Sequence, residues 1–287
     1  MIHYDVFNGD ADGLCALTQL RNAEPREARL VTGVKRDINL LDRVEAAAGS
    51  QVTVLDVSLD KNRAGLERVL AAGAEVFYCD HHFAGDIPQS DRLQAVINTA
   101  PDVCTSILVN EHLGGAFREW AVVGAFGDNL QDSARRIARP LALDETRLQQ
   151  LENLGIYINY NGYGSNLADL HFEPADLFRL ISPYGSPFDF MEDGRAHFDK
   201  LEQGYKQDMA TAESLAPDYR DDAVAVFMMP DEPWARRVSG VYSNDLANSD
   251  PDRAHAVLTA KASGCYLVSV RAPLNNKTGA DELCMKF

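Results

Sequence analysis

The chain is short of basic side chains, of paired cysteines and of long apolar runs, and each shortage closes off a class of function. Lys and Arg total 27 against 43 Asp and Glu, a formal charge of −16 over 287 residues. The imbalance is uneven: residues 1–215 hold 19 basic and 33 acidic side chains, residues 216–287 only 8 and 10. A front part this acidic repels long duplex nucleic acid, whose binding rests on neutralising phosphates with Lys and Arg. An anionic substrate would need metal ions or a local basic patch. The five cysteines (Cys15, Cys79, Cys104, Cys265, Cys284) are odd in number and form no CxxC pair, which argues against a disulfide framework and a thiolate zinc cage. No run approaches the roughly 20 apolar residues of a membrane-spanning helix. The start "MIHYDVFNGD" lacks the basic-then-apolar layout of a signal peptide. The chain is therefore expected in the cytoplasm, without a membrane partner.

What is present is a hydrophobic fraction of 46%, enough for two packed domains. Over the first 130 residues short β-branched runs alternate with amphipathic stretches: "IHYDVF", "GLCALTQLRNA", "RLVTGV", "NLLDRVEAAAG", "QVTVLDVS", "KNRAGLERVLAAG", "EVFYC". This βαβ rhythm predicts an α/β fold, a parallel sheet with helices on both faces. From about 101 to 190 the pattern turns helical, and a charged helix near "GRAHFDKLEQGYKQDMATAESL" leads to the polar "APDYRDD". Beyond it "AVAVFMM", "AHAVLTA" and "CYLVSVRA" read as strands around the helix "VSGVYSNDLAN". The expected organisation is a first domain over 1–190, a helical linker over 191–217 and a smaller α/β domain over 218–287.

Four acidic sites fall at the ends of predicted elements. "NGDADG" follows the first strand with Asp10 and Asp12, "VLDVS" carries Asp56, "EVFYC" ends in Asp80, His81 and His82, and "GAFGDN" supplies Asp128. Each alone has a plain structural role. Asp10 and Asp12 suit a turn and a helix N-cap, Asp56 could cap the next helix, and a single His is more often structural than a ligand. In a parallel sheet, however, the carboxyl ends of the strands share one edge. Five carboxylates crowded there are unfavourable without cations, and oxygen with imidazole nitrogen suits a divalent ion such as manganese.

In this order, "DADG", a strand-end Asp, "DHH" and "GDN" resemble the motifs of the DHH phosphoesterase superfamily, over residues 1 to about 190; "YLVSVRAP" is similar to part of the DHH-associated substrate domain. The resemblance implies two divalent ions, Mn2+ for preference. One would be held by Asp12, Asp56, His81 and Asp128, the other by Asp10 and the bridging Asp56. It implies that His82 meets the substrate phosphate or protonates the leaving oxygen, with Asp80 orienting the neighbouring imidazole. It further implies a phosphate-binding Arg271, with Asn275, Asn276 and Lys277 as nearby donors; Arg236 and Arg237 read as surface charge. Two departures stand out. Many members have a His four residues before the first Asp, where this chain has Val6, so the metal on Asp10 is expected to be weak, with Asn8 as a neutral ligand or a mere turn residue. The glycine-rich substrate loop usual in the associated domain is also missing before "ADELCMKF", so that domain is expected to be incomplete at its C-terminus.

The function these features imply is a manganese-dependent phosphodiesterase that cleaves short linear oligonucleotides, dinucleotides such as linear diguanylate above all, to mononucleotides. A nucleotide-binding regulatory module with a degenerate metal site is the alternative from another class; a single-strand exonuclease and a pyrophosphatase are the alternatives among enzymes. A second copy of the chain, as a homodimer, is the candidate protein partner.

Overall fold

Alternation of side chains along three buried strands, β1 (His3–Phe7), β3 (Gln51–Leu55) and β4 (Glu75–Asp80), builds the first domain. The structure, a computed structural model, describes residues 2–286. Its first sheet contains β1 (His3–Phe7), β2 (Arg29–Val31), β3 (Gln51–Leu55), β4 (Glu75–Asp80) and β5 (Leu93–Ile97), all parallel, in the order β2-β1-β3-β4-β5. Tyr4, Val6, Val52, Val54, Val76 and Tyr78 point to one face, against Leu59, Leu66 and Val69 of α2 (Leu59–Ala71). Phe7, Leu55 and Cys79 point to the other, against α1 (Ala11–Ala23), α3 (Thr105–His112) and α4 (Arg118–Gly127). This is the expected helix-covered parallel sheet. Strand order reverses between β1 and β3, where the connections leave in opposite directions and open a crevice at the strand ends.

Two stretches differ from their sequence patterns. "NLLDRVEAAAG" forms only a 3-10 turn, Leu40–Arg43. Leu40 and Leu41 plug into the α2 face, where Asn62 Oδ1 accepts from the Leu41 amide at 3.0 Å. A Cβ at Gly65 would come within 2.7 Å of the Leu41 side chain. The segment is held by α2, and helix continuation is lost. The edge strand β5 carries no clear alternation and is only half-buried, so its sequence gives little signal.

The chain continues through α5 (Gln131–Ala138), α6 (Glu145–Gly162), α7 (Pro174–Ile181), α8 (Pro187–Asp193) and α9 (Arg195–Glu213). The smaller unit has β6 (Tyr219–Arg220), β7 (Val224–Met229), α10 (Pro233–Ser249), β8 (Ala254–Ala260), β9 (Tyr266–Arg271) and the short α11 (Ala280–Cys284). Its sheet runs β6-β7-β8-β9, with β7 and β8 parallel and both outer pairs antiparallel. Its core also takes in Tyr160 of α6 and Met209 and Ala212 of α9.

Arg236 and Arg237 are not the surface charges expected of them. Both sit on α10 facing carboxylates from outside the small unit. Arg236 grips Asp169 with Nε at 2.8 Å and Nη2 at 2.7 Å. Arg237 Nε lies 2.8 Å from Asp208 Oδ2 and 3.0 Å from the Tyr160 hydroxyl, and Tyr160 itself donates to Asp208. Opposite charges at this packed seam hold α10 in place, and nothing in the local sequence of α10 names the distant partners. Removing one member leaves the other charge buried and unpaired, at a cost of about 3–5 kcal/mol. Arg237→Ala is therefore expected to lower the urea midpoint strongly; an unchanged midpoint would show that the pair does not secure the seam.

Candidate metal centre

The loop after β1 enters α1 through Asp10, whose Oδ1 accepts from the Gly13 amide at 3.1 Å as the helix N-cap. Gly13 is required there, since a Cβ would stand 2.3 Å from the Asn8 carbonyl. The first turn then presents Asp12. Its carboxylate is fixed at both oxygens by the start of α3: the Thr105 amide reaches Oδ2 at 2.7 Å and the Ser106 amide reaches Oδ1 at 2.6 Å. A helix N-terminus stabilises such an anion. At the end of β3, Asp56 adopts φ +57°, a left-handed conformation that Asp tolerates better than most residues. Thr105 Oγ1 donates to its Oδ1 at 3.2 Å.

The end of β4 delivers Asp80, His81 and His82. His81 Nδ1 lies 3.1 Å from the Val103 carbonyl. A carbonyl only accepts, so Nδ1 donates to it, and Nε2 is the ring nitrogen turned towards the carboxylates. That Nε2 faces Asp56 Oδ1 at 3.4 Å, Asp128 Oδ2 at 3.8 Å and Asp12 Oδ2 at 3.9 Å. Asp128 caps the C-terminus of α4. His82 Nδ1 pairs with Asp80 Oδ1 at 2.7 Å. Asp80 thus orients His82, while a backbone carbonyl orients His81, the usual outer support of a metal-bound imidazole.

A cation from an unexpected place completes the cluster. Lys35, in the loop after β2, brings Nζ to 2.7 Å from Asp10 Oδ2, 3.0 Å from Asn159 Oδ1 and 3.9 Å from Asp128 Oδ1. In "VTGVKRD" it reads as an ordinary loop charge, and its position at a strand's carboxyl end was the one available signal. Asn8 is buried; its Nδ2 donates to the Lys35 carbonyl at 3.4 Å. Its Oδ1 has no partner among the described residues. Val6 points into the α2-side core.

Charge crowding shifts the protonation of these groups. Burial, then the neighbouring Asp12, pushes the Asp128 carboxyl up to about 7 despite the opposing pull of Lys35. Burial and the four surrounding carboxylates push Asp56 well above the usual range. Burial also works against ionised Asp10, but the charge and hydrogen bond of Lys35 overcome it and hold that carboxyl low. The hydrogen bond to Asp80 raises His82 against the effect of burial.

These residues fit a divalent ion. Asp12, His81 and Asp128 offer ligand atoms all within 4.8 Å of one another, as do Asp56, His81 and His82. A ring nitrogen and three carboxylates turned towards one another make a mixed nitrogen and oxygen donor set of the kind a divalent cation takes. The small-unit candidates lie elsewhere. Arg271 Nε donates to Asn244 Oδ1 at 2.7 Å, Asn275 Nδ2 to Asp252 Oδ1 at 2.7 Å, and Asn276 Oδ1 accepts from Thr278; Lys277 is exposed. No hydrogen bond or ion pair among the described residues joins these four to the strand-end cluster. A cleft of about 350 Å³ opens beside His82, lined by Asn8, Asp56, Lys61 and, on its walls, Ile38 and Phe83. Phe83 is 73% exposed.

No protein-family model and no curated protein matches the sequence. Solved structures do match in fold. Exonuclease RecJ bound to manganese aligns over 99% of this chain and 80% of its own, at TM-score 0.64 and 17% identity. A DHH domain described as belonging to a family of ribosomal proteins covers 95% and 74%, at 0.62 and 13%. RecJ from Thermus thermophilus, in complex with Mn2+, covers 94% and 44%, at 0.57 and 17%.

Because the folded state holds the Asp128 proton up to about 7, against an ordinary value near 4, that group favours folding below about pH 4 and loses the contribution as pH rises through 7. A bound cation must displace this proton. The rise in Tm on adding Mn2+ is therefore expected to be larger at pH 8 than at pH 5.5, and Asp128→Asn to flatten the difference. Equal Mn2+ shifts at both pH values would contradict the assignment.

Proposed function

From the premise that the chain carries the DHH-domain fold, we propose that it is a metal-dependent phosphodiesterase acting on short linear oligonucleotides, dinucleotides such as linear diguanylate first among them. The observation that carries this reading is the Nε2 of His81 facing carboxylates from three separate elements. A divalent ion held by Asp12, Asp56, His81 and Asp128, with Mn2+ favoured, would supply Lewis acidity and lower the pKa of water towards about 7. His82, its ring fixed and its proton held by Asp80, serves as the acid that returns a proton to the leaving oxygen.

Substrate class follows from the surroundings. The excess of acidic over basic side chains in the first 215 residues opposes an extended polyanion in proportion to its phosphates. Phe83 offers a flat apolar face at the cleft wall, the kind of platform on which a nucleobase stacks. Arg271 of the small unit is the candidate anchor for a terminal phosphate once substrate draws the cleft together. Val6, in place of the usual His, favours the second reading, a nucleotide-binding module without turnover, and turnover itself separates the two.

Hydrolysis of di-, tri- and decanucleotides at equal concentration with Mn2+ tests the proposal; the dinucleotide is expected to have the highest kcat/KM, and faster cleavage of the decamer would point to an exonuclease instead. Phe83→Ala removes a stack worth about 1–3 kcal/mol, so KM is expected to rise by about tenfold or more with kcat little changed. An unaltered KM would remove the stacking role.

A further inference from the structure

The loop after β2 inserts a lysine where the family pattern calls for a second metal ion. The Lys35 ammonium has three N–H donors. Two meet Asp10 Oδ2 at 2.7 Å and Asn159 Oδ1 at 3.0 Å, and Asp128 Oδ1 stands 3.9 Å away. The other Asp10 oxygen is occupied by the Gly13 amide, so no oxygen of this carboxylate is left without a donor. The lysine backbone is also pinned: its amide donates to the Gly162 carbonyl at 2.9 Å, and its carbonyl accepts from Asn8. The ring of Tyr163 lies 5.3 Å from Nζ, a favourable face for a cation. Loop, helix end and aromatic ring together hold the ammonium in place.

In the two-ion pattern that the resemblance implies, Asp10 is the one carboxylate of the cluster that would serve the second ion alone. With Val6 buried in the core on the α2 side, that ion would have Asp10, the shared Asp56 and Asn8 Oδ1 for ligands, beside a fixed positive charge already bonded to Asp10. Repulsion between a divalent ion and an ammonium a few ångströms apart is severe in a buried site. We propose that Lys35 takes the place of the second cation, so that this chain binds a single divalent ion, at Asp12, Asp56, His81 and Asp128. This inference rests on the metal-dependent reading given above and departs from the two-ion pattern. Lys35 is then a positioning residue that fixes Asp10 and adds a permanent positive charge to the cluster.

Titration of the metal-free full chain with Mn2+, followed by calorimetry and by electron paramagnetic resonance, tests this without reference to activity. The parent protein is expected to take up one ion per chain and to give the spectrum of an isolated Mn2+. Lys35→Met keeps an unbranched apolar stem, one atom shorter, without the charge. It should take up two ions and show the spin coupling of Mn2+ ions about 3.5–4 Å apart. A parent protein that binds two coupled ions would overturn the role of Lys35 and leave the metal-dependent reading standing; a parent that binds none would overturn both. Should Lys35→Met fail to fold, Asp10→Asn decides the matter. It should still bind one ion, with an affinity within about tenfold of the parent, and loss of that ion would show that Asp10 is a ligand and not the seat of the lysine.

Discussion

Repulsion among carboxylates at one sheet edge is the constraint around which the first domain is arranged. Asp10, Asp12, Asp56 and Asp80 are each 3% exposed or less, and Asp128 joins them from the end of α4. Unscreened charges this close would raise one another's pKa and push the site apart. Each of the four strand-end carboxylates meets its own counterweight. Two amides at the start of α3 hold Asp12, the Thr105 hydroxyl reaches Asp56, His82 pairs with Asp80 and Lys35 neutralises Asp10. Asp56 and Asp128 remain the under-compensated pair, and both carboxyls are pushed upward. They flank His81 Nε2, so the place where the protein leaves charge unbalanced is the place with the best ligand set for a cation.

The same logic explains why these loops tolerate so little side-chain bulk. A Cβ at Gly9 would lie 1.9 Å from the Gly33 carbonyl, and one at Gly162 would lie 2.9 Å from the Gly9 carbonyl. The loop after β1, the loop after β2 and the end of α6 therefore touch backbone to backbone. That contact sets the loop carrying Lys35 alongside Asp10. Glycine at these positions serves the electrostatics of the cluster through packing.

Much of the site was legible because its residues lie in local signals. A β-branched strand that stops at "DADG", "LDVS" or "DHH" places its last residues at the carboxyl edge, whatever the rest of the chain does. Asp80 and the two histidines followed from such a signal. What the sequence did not disclose were partners set by tertiary contact. Lys35 bonds residues 25 and 93 positions away, Asp10 and Asp128. Arg237 reaches Asp208 and Tyr160 across a seam between units. Asp80 turned to His82, and the ring of His81 found the Val103 carbonyl. The short turn at Leu40–Arg43, in place of a longer amphipathic element, has the same origin, because α2 packs against Leu40 and Leu41 and holds the segment.

Tyr163 links the charge balance of the cluster to the seating of the small unit. One side of its ring environment holds the Lys35 ammonium, with the Arg36 guanidinium 6.0 Å from the centroid. On α10, a Cβ at Gly240 would come within 3.0 Å of the same ring, so the helix can lie against Tyr163 only because that position has no side chain. One turn earlier, Arg236 and Arg237 tie the helix to Asp169 and Asp208. A cation supplied by a side chain thus differs from a diffusible ion in more than concentration. Its position depends on a loop, the loop on Gly162 and Tyr163, and Tyr163 on the helix that carries the small unit.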